Sequence, residues 1–379
     1  MSYPYEVIVV GAGSMGMAAG WHLAQQGVRT LLIDAFHPPH TMGSHHGETR
    51  IIRHAYGEGR QYVPLALRAQ ELWLDLQAEA GTRLFAQTGV LSLGPAGSPF
   101  MEEVVRSSVS FDLPLEVLDT AEIRRRWPGW RVPDDYVGCL ETSSGVLFSE
   151  DCIRAMRQLG EARGMQVLVD APVDDIRVDG QGASVRAGSS VYTAERVIVT
   201  AGAWAKRLLA TAGLDVPLRP TRKAIAWFAC DENLYGAAEF PAFTCGTDTA
   251  HYYGFPSFNG SGLKVGRHDG GQTADPDTME RTFGAYPEDE GDLRRFLRDY
   301  LPRANGRLLT GKTCVYTMTP DEHFIIDRHP ERPQLLFACG FSGHGFKFAS
   351  AVGEVLAQLA VADSADLDVS TFSLRRFQH

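Results

Sequence analysis

The stretch GSHHGETRIIRHAYGEG, residues 43–59, gathers basic side chains in a chain that is acidic as a whole. His45, His46, Arg50, Arg53 and His54 stand close together, whereas the full sequence has 36 Lys and Arg against 46 Asp and Glu and a net charge of -10. Cations concentrated against this balance favour an anionic ligand over a solvated surface loop. A metal ion is not expected here, because the arginines would repel it.

Two later segments carry further cations among glycines and aromatic residues. HYYGFPSFNGSGLKVGRHDGG, residues 251–271, places Lys264 and His268 four positions apart. On a strand, residues at this spacing share a face, so these two side chains are predicted to point the same way. SGHGFKF, residues 342–348, puts Lys347 at the start of the last predicted helix.

Cys314 is an isolated thiol within KTCVYTMTPDEHFIID, residues 312–327. The six cysteines form no CxxC pair and follow no regular spacing, so a disulfide framework is not expected. This usage fits a reducing compartment and predicts a cytoplasmic protein. From its neighbours alone, Cys314 is interpreted as an inert strand cysteine.

Residues 6–34 are predicted to form the strand, turn, helix and strand that precede these segments. In the turn GAGSMG, Gly11 permits a sharp bend, Gly13 allows close approach of a pyrophosphate, and Gly16 lets the helix pack on the sheet. The helix N-terminus offers free N–H groups to phosphates. Asp34 ends the second strand, where an acid would bind the ribose hydroxyls of adenosine. The unit predicts a dinucleotide site.

FAD and NAD share this fingerprint, so the choice between them depends on other segments. ERVIVTAGAW, residues 195–204, and QLLFACGFSGHGFKFASAVGEVLAQLA, residues 334–360, are predicted to add strands to the same sheet. The second also aims a helix N-terminus at the far end of the cofactor, where it would stabilise an anionic reduced isoalloxazine. FAD is therefore favoured. No second GxGxxG appears in the sequence, so a separate NADPH site is not expected.

GRLLTGKT, residues 306–313, matches the P-loop pattern but lacks its context. A P-loop follows a buried parallel strand and opens a helix. This segment follows the helical pattern of DLRRFLRDYLPRAN and continues into the strand-like CVYTMTP. We therefore expect no nucleotide triphosphate site here.

Length and composition limit the classes of protein. A chain of 379 residues with 44% hydrophobic residues is expected to form a packed fold of two domains or one large composite domain. Its negative charge disfavours nucleic acid and anionic membranes as partners. No basic n-region precedes the first apolar run, and no window of 18 apolar residues is present. Small molecules are the expected partners.

Five landmarks together closely resemble the monomeric sarcosine oxidase and N-methyltryptophan oxidase family of flavoprotein amine oxidases. They are GAGSMG, SHHGETRIIRHAYGEG, YYGFPSF with GLKVG, CVYTMTPDEHFIID and GFSGHGFKFAS. The resemblance covers nearly the whole chain. With the predicted elements, it implies a monomer with an α/β, Rossmann-like FAD-binding domain in several segments (1–85, 145–220 and 315–379). The remaining segments, 86–144 and 221–314, are expected to form a mostly antiparallel β-sheet substrate domain.

The resemblance implies roles for the cationic and aromatic residues around a substrate. Arg53 and Lys347 correspond to the pair that binds the substrate carboxylate, which agrees with the fork of arginine and the point charge of lysine. Lys264 corresponds to the lysine that holds a water near flavin N5 and promotes the reaction with oxygen. Tyr253 and His268 correspond to residues that line the substrate pocket.

The resemblance also implies roles for residues around the flavin. A cysteine at the position of Cys314 carries the flavin through its 8α-methyl group, so the lone thiol would be a tether. His46 and Arg50 correspond to basic residues near one flavin face that assist this attachment. Gly343 and His344 lie on the turn that borders the flavin, and Lys347 follows that turn.

The expected reaction is oxidation of a secondary amino acid at its N-methyl carbon, with oxygen as the electron acceptor. Water then releases formaldehyde and a primary amino acid, and oxygen yields hydrogen peroxide. Sarcosine is the preferred substrate, because residues 273–306 and 340–360 are most similar to sarcosine oxidases. N-Methyltryptophan is the alternative, which residues 35–50 and 239–246 favour. An NAD-dependent dehydrogenase and a flavin-binding module without activity are the rival classes.

Overall fold

A computed structural model describes residues 3–377 of the chain. The strands are β1 (Tyr5–Val10), β2 (Thr30–Ile33), β3 (Thr49–Ile52), β4 (Phe85–Ala86), β5 (Val90–Pro95), β6 (Glu116–Leu118), β7 (Tyr136–Glu141), β8 (Gly145–Phe148), β9 (Gln166–Leu168), β10 (Val173–Val178), β11 (Ala183–Ala187), β12 (Ser190–Val199), β13 (Arg219–Phe228), β14 (Ala242–Gly246), β15 (His251–Phe255), β16 (Leu263–Arg267), β17 (Gln272–Thr273), β18 (Leu308–Met318), β19 (Ile325–Arg328) and β20 (Leu335–Cys339). The α-helices are α1 (Ser14–Gln25), α2 (Val63–Ala80), α3 (Pro99–Ser110), α4 (Thr120–Arg126), α5 (Ser149–Ala162), α6 (Ala205–Thr211), α7 (Glu232–Tyr235), α8 (Pro287–Tyr300) and α9 (Ala349–Ala362). No helix among these residues is long and apolar enough to cross a membrane.

The first sheet has a parallel centre in the order β9, β2, β1, β12 and β20. Its strands read as near-continuous runs of Val, Ile and Leu because helices or loops cover both faces. Strand β19 and the β10–β11 pair extend the sheet in antiparallel fashion. The predicted βαβ unit and the two distant strands that join it are confirmed.

Helix α1 packs closely on this sheet because small residues stand at its start. Gly11 has a φ of 94°, a backbone conformation that residues with a side chain rarely adopt. A Cβ at Gly16 would come 1.9 Å from the carbonyl oxygen of Gly11. Helix α9 crosses α1 where Gly353 leaves room for Ala18. The fingerprint glycines thus hold the turn and helix in place.

The second sheet is antiparallel except for the parallel pair β5–β14. Its order is β17, β13, β16, β15, β14, β5, β7 and β6, and β18 pairs along the whole length of β13. Residues 308–313 of the P-loop look-alike belong to β18, so no helix follows them. The predicted combination of a Rossmann-like sheet and a mostly antiparallel sheet is confirmed.

A small third sheet consists of β3, β8 and β4, which lie along the chain between strands of the two large sheets. All strands of the first sheet lie within residues 1–85, 145–220 and 315–379. The division into two domains stays a proposal, and three of its boundaries fall inside β4, β13 and β18. These boundaries would move by a few residues to spare the strands.

Candidate active site

One cavity of about 450 Å³ is lined by residues from both large sheets, from Val10 in β1 to Cys314 in β18. Every predicted site residue lines it except Gly16, His46 and Lys264. The fold therefore brings together segments that are hundreds of positions apart in sequence. Gly16 is a packing residue, whereas His46 and Lys264 are buried and do not line this cavity.

One end of the cavity is formed by the glycine turn and Asp34. Gly11, Gly13 and the first residues of α1 line it, and no acidic side chain occupies the first turn of that helix. Asp34 is buried, with Oδ2 accepting from the Ala12 amide at 2.6 Å and Oδ1 accepting from the Phe36 amide at 2.8 Å. The free N–H groups and the fixed carboxylate suit phosphates and a ribose diol.

These residues fit FAD on grounds that the structure itself supplies. The phosphate-binding turn and Cys314 line the same cavity, as a dinucleotide with a ring system attached at Cys314 requires. Both ring nitrogens of His46 are buried and lack a hydrogen-bond partner among the described residues. Burial, followed by the charge of Arg50, lowers the pKa of His46 to about 3, so the ring is neutral. His46 does not itself line the cavity, but its neighbours Ser44, His45 and Arg50 do, so this imidazole without a partner lies close to the space for a bound group.

Cys314 lies on the cavity wall and is 2% exposed. Burial raises the pKa of its thiol, although Arg50, Lys223 and Lys264 act in the opposite direction. Lys223 faces Cys314 across the β13–β18 ladder. Arg50 lines the same cavity and donates from Nη2 to the carbonyls of Ser44 (2.7 Å) and His46 (2.5 Å). The thiol thus stands among cations that would stabilise a thiolate.

The opposite end of the cavity holds Arg53 in an ion pair that the sequence did not predict. Its Nη2 donates to Oε1 and Oε2 of Glu58 at 2.7 and 2.6 Å. Glu58 is partly buried, and burial raises its pKa, but the charge of Arg53 together with those of His344, Lys347 and His268 outweighs burial and the net pKa is about 2. Glu58 therefore stays ionised and compensates the charge of Arg53.

Tyr56 connects this ion pair to Lys347. The guanidinium of Arg53 lies 4.4 Å from the centre of the Tyr56 ring, and the ammonium of Lys347 lies 5.2 Å from it. Lys347 donates to the Tyr56 hydroxyl at 3.1 Å and to the carbonyl of His344 at 2.7 Å. The Tyr56 hydroxyl is also 2.7 Å from Nδ1 of His344. Two cations therefore converge on one aromatic ring at this end.

Burial sets the protonation of the ionisable groups around Lys347. Burial and then Arg53 lower the pKa of Lys347 to about 7. Burial also lowers the pKa of His268 to about 4 and that of His344 to about 3. Near neutral pH the two imidazoles are neutral, and Lys347 is the group whose charge changes.

His268 lies beyond the end of β16, in a turn that Lys223 holds. The Lys223 ammonium donates to the carbonyls of residues 268, 269 and 270 at 2.7, 2.9 and 2.5 Å. The His268 ring is 5.8 Å from that of Tyr316, whose hydroxyl donates to Tyr253 at 3.3 Å. The turn therefore presents His268 to the cavity beside two tyrosines.

Lys264 and His268 are predicted to point the same way; His268 lines the main cavity, whereas Lys264 is not among the residues that line it. Strand β16 ends at Arg267, and the His268 amide still donates to the His251 carbonyl at 2.7 Å. The Lys264 ammonium donates to the Gly47 carbonyl (2.6 Å), the Thr49 carbonyl (3.0 Å) and the Thr49 hydroxyl (3.0 Å). It borders a second cavity of about 340 Å³. Burial, followed by Arg50, lowers the pKa of Lys264 well below its ordinary value.

Sequence reasoning missed Tyr56, Glu58 and Tyr316 as site residues. All three fall inside the quoted motifs: Tyr56 and Glu58 follow Arg53 by three and five positions, and Tyr316 follows Cys314 by two. Tyr316 shares a strand face with Cys314 by the alternation of β18, which was a usable signal. Glu58 had no such signal, because its loop contacts depend on the tertiary fold.

The family model for "FAD dependent oxidoreductase" matches residues 6–359. The chain is 53% identical over 374 residues to a monomeric sarcosine oxidase from Arthrobacter sp. (strain TE1826), covering 98% of this chain and 96% of that protein. It is 45% identical over 375 residues to an N-methyl-L-tryptophan oxidase from Yersinia pestis (strain Pestoides F), covering 99% and 100%.

Among solved structures, the fold is similar to that of L-proline dehydrogenase from P. horikoshii. The TM-score is 0.87 at 22% sequence identity, and the match covers 100% of this chain and 99% of the other. At this identity the similarity concerns the fold alone. It agrees with the two-sheet architecture described above.

Proposed function

This chain belongs to the FAD-dependent oxidoreductase family, and we propose that it is an oxidase of N-methyl amino acids with sarcosine as its preferred substrate. The observation that carries the proposal is the convergence of Arg53 and Lys347 on Tyr56 at one end of the cavity that begins at the phosphate-binding turn. Such a pair binds a carboxylate. The similarity to a monomeric sarcosine oxidase over nearly the whole length supports the choice of substrate.

The overall reaction converts sarcosine, oxygen and water into glycine, formaldehyde and hydrogen peroxide. Bound FAD would supply the two-electron chemistry, taking a hydride equivalent from the N-methyl carbon and passing the electrons to oxygen. Gly11, Gly13 and Asp34 would hold its nucleotide half. Arg50, His46, Gly343 and His344 are proposed to surround the flavin ring. We further propose that Cys314 is its covalent attachment point.

The substrate carboxylate has to share Arg53 with Glu58. Because Glu58 already compensates the charge of Arg53, the uncompensated cation at this end is Lys347. Lys347 would thus attract the carboxylate, and Arg53 would orient it once its fork turns from Glu58 to the substrate. His268 and Tyr253 would enclose the amine and methyl group.

Lys264 is proposed to promote the reaction with oxygen. A fixed cation stabilises the negative charge that develops on oxygen as electrons reach it. The ammonium lies directly behind Gly47 and borders its own cavity, apart from the Arg53 and Lys347 end. The two half-reactions would therefore use different cations on different sides of the site.

A monomer and a cytoplasmic location are also part of the proposal. The relative named as a monomeric sarcosine oxidase supports the first, and the six free cysteines agree with a reducing compartment.

The second candidate is an N-methyl-L-tryptophan oxidase, which the 45% identity over the full length of such a protein favours. It requires room for an indole beside Tyr253 and His268. Both candidates use the same carboxylate-binding pair, so they differ in substrate size rather than in chemistry.

Anaerobic titration of the purified holoenzyme tests the proposal. Sarcosine is expected to bleach the flavin absorption completely, with one formaldehyde formed per flavin. N-Methyl-L-tryptophan is expected to reduce the flavin with a lower second-order rate constant. The reverse preference would select the second candidate. A flavin that no N-methyl amino acid reduces would contradict both, and hydride transfer to added NAD⁺ would point to a dehydrogenase.

A further inference from the structure

The segment 47–55 carries side chains for both sides of the site. It contains β3, with Arg50 facing the proposed flavin region and Arg53 directly after the strand. Its first carbonyls also bind the Lys264 ammonium. The orientation of three cations therefore depends on how this short segment is fixed.

Glu150 fixes the first end of the segment. Its Oε1 accepts from the amides of Gly47 (2.8 Å) and Glu48 (3.1 Å), and its Oε2 accepts from Glu48 (2.9 Å) and the Ser149 hydroxyl (2.7 Å). Gly47 and Glu48 have φ of 105° and 73°, which turns successive amides toward one anion. The carbonyls on either side of Glu48 then face Lys264. Burial raises the pKa of Glu150, but its hydrogen bonds lower it to about 2, so it is ionised.

Glu141 fixes the other end in a similar way. It is 3% exposed and accepts from the amides of His54 (3.1 Å) and Ala55 (2.8 Å), as well as from His54 Nδ1 and the Ser144 hydroxyl. The Ala55 carbonyl in turn accepts from Nη1 of Arg53 at 3.3 Å. One residue thus connects the buried carboxylate to the guanidinium.

The Ser144, His54 and Glu141 group is not a nucleophilic triad. In a triad the serine hydroxyl bonds to the histidine nitrogen that the carboxylate leaves free. Here Ser144 and His54 both bond to Oε1 of Glu141, and His54 Nε2 has no partner among the described residues. Glu141 does not line either cavity. Its hydrogen bonds are with the backbone amides of His54 and Ala55, the His54 ring and the Ser144 hydroxyl.

We propose that Glu141 and Glu150 are positioning residues with separate tasks: Glu141 aims Arg53 at the substrate carboxylate, and Glu150 seats Lys264 for the reaction with oxygen. The assignment of the two tasks rests on the function proposed above. The statement that each carboxylate holds its end of the segment is independent of that function, because it follows from the hydrogen bonds alone.

Replacing each acid by its amide separates the two tasks. Glutamine keeps the size but loses the charge and one acceptor, so the backbone amides lose charge-assisted hydrogen bonds. In Glu141→Gln, the dissociation constant for sarcosine in anaerobic reduction is expected to rise by about tenfold or more, with reoxidation of reduced flavin unchanged. In Glu150→Gln, reoxidation is expected to slow by about tenfold or more, with substrate binding unchanged. Stopped-flow measurement of the two half-reactions gives both values.

Hydrogen exchange of the backbone amides gives a readout that needs no turnover. Glu150→Gln should speed exchange at Gly47 and Glu48 only, and Glu141→Gln should speed it at His54 and Ala55 only. Asp151→Asn is the matched control, since this neighbouring carboxylate pairs with Arg154 at the surface and should change neither end. If no N-methyl amino acid reduces the flavin, the proposed function fails while the exchange pattern still decides the clamping.

Milder variants cover the case in which an amide variant does not fold. Ser144→Ala removes one hydrogen bond to Glu141, and Ser149→Ala removes one hydrogen bond to Glu150. Ser144→Ala should weaken substrate binding and Ser149→Ala should slow reoxidation, each by less than the corresponding amide variant. The proposal would be overturned if variants at the Glu141 end and at the Glu150 end changed substrate binding and flavin reoxidation equally. Unchanged hydrogen exchange at all four backbone amides would also overturn it.

Discussion

Binding of a carboxylate is expected to weaken as the pH rises through the pKa of Lys347. Burial and Arg53 lower that pKa to about 7 in the free protein. Below it the lysine is a cation that attracts the ligand, and above it the neutral amine does not. A carboxylate bound about 4 Å away at an effective dielectric of about 20 contributes up to about 4 kcal/mol, which corresponds to a rise of about 3 pKa units in the complex.

The dissociation constant should therefore rise about tenfold for each pH unit above about 7, and about a hundredfold from about pH 6 to about pH 9. The assay is calorimetric titration with propionate, which has no amine and stays anionic in this range. His268, His344 and Glu58 do not titrate in this range, because the pKa values of the two imidazoles are about 4 and 3 and that of Glu58 is about 2.

Lys347→Met is the decisive variant, since it should bind propionate weakly at every pH with no step near 7. Lys223 also titrates near the site, because burial lowers its pKa to about 8, but it does not line the cavity. A step that remains near 8 in the variant would belong to Lys223. A flat profile in the unaltered protein, or the full slope in Lys347→Met, would refute the role of Lys347 as the uncompensated cation.

Three further predictions concern the cofactor and the two half-reactions. Flavin should stay with the acid-precipitated protein and become extractable in Cys314→Ser; release of all flavin from the unaltered protein would contradict a covalent bond. Arg53→Ala removes the guanidinium proposed to bind the substrate carboxylate, and truncating one partner of a buried charge pair costs about 3–5 kcal/mol, so kcat/KM should fall by about a hundredfold or more; unchanged steady-state kinetics would exclude Arg53 from the site. Lys264→Met should slow flavin reoxidation by orders of magnitude with little effect on anaerobic reduction, and stopped-flow reoxidation at the normal rate would leave Lys264 a structural role only.

Local signals were sufficient for the cofactor end of the site. Gly11, Gly13 and Asp34 belong to one βαβ unit, so the geometry of a turn, a helix start and a strand end follows from residues 6–34 alone. The predicted roles of the substrate residues came from the resemblance of whole motifs, and those roles stay predictions. Their placement around one cavity could not be computed from spacing.

The sequence by itself determined the dinucleotide turn and its βαβ unit, because hydrophobic patterns and glycine positions act over short distances, whereas the second, mostly antiparallel sheet was expected from the resemblance of whole motifs. It did not determine that Glu58 compensates Arg53, that the Lys264 ammonium binds the Gly47 carbonyl, or that Glu141 and Glu150 hold the two ends of the 47–55 segment. Only the tertiary structure decided these contacts. The physical reason is that a buried charge is stable only with a partner, and the partner for each charge is chosen by the packing of the whole chain rather than by its neighbours in sequence.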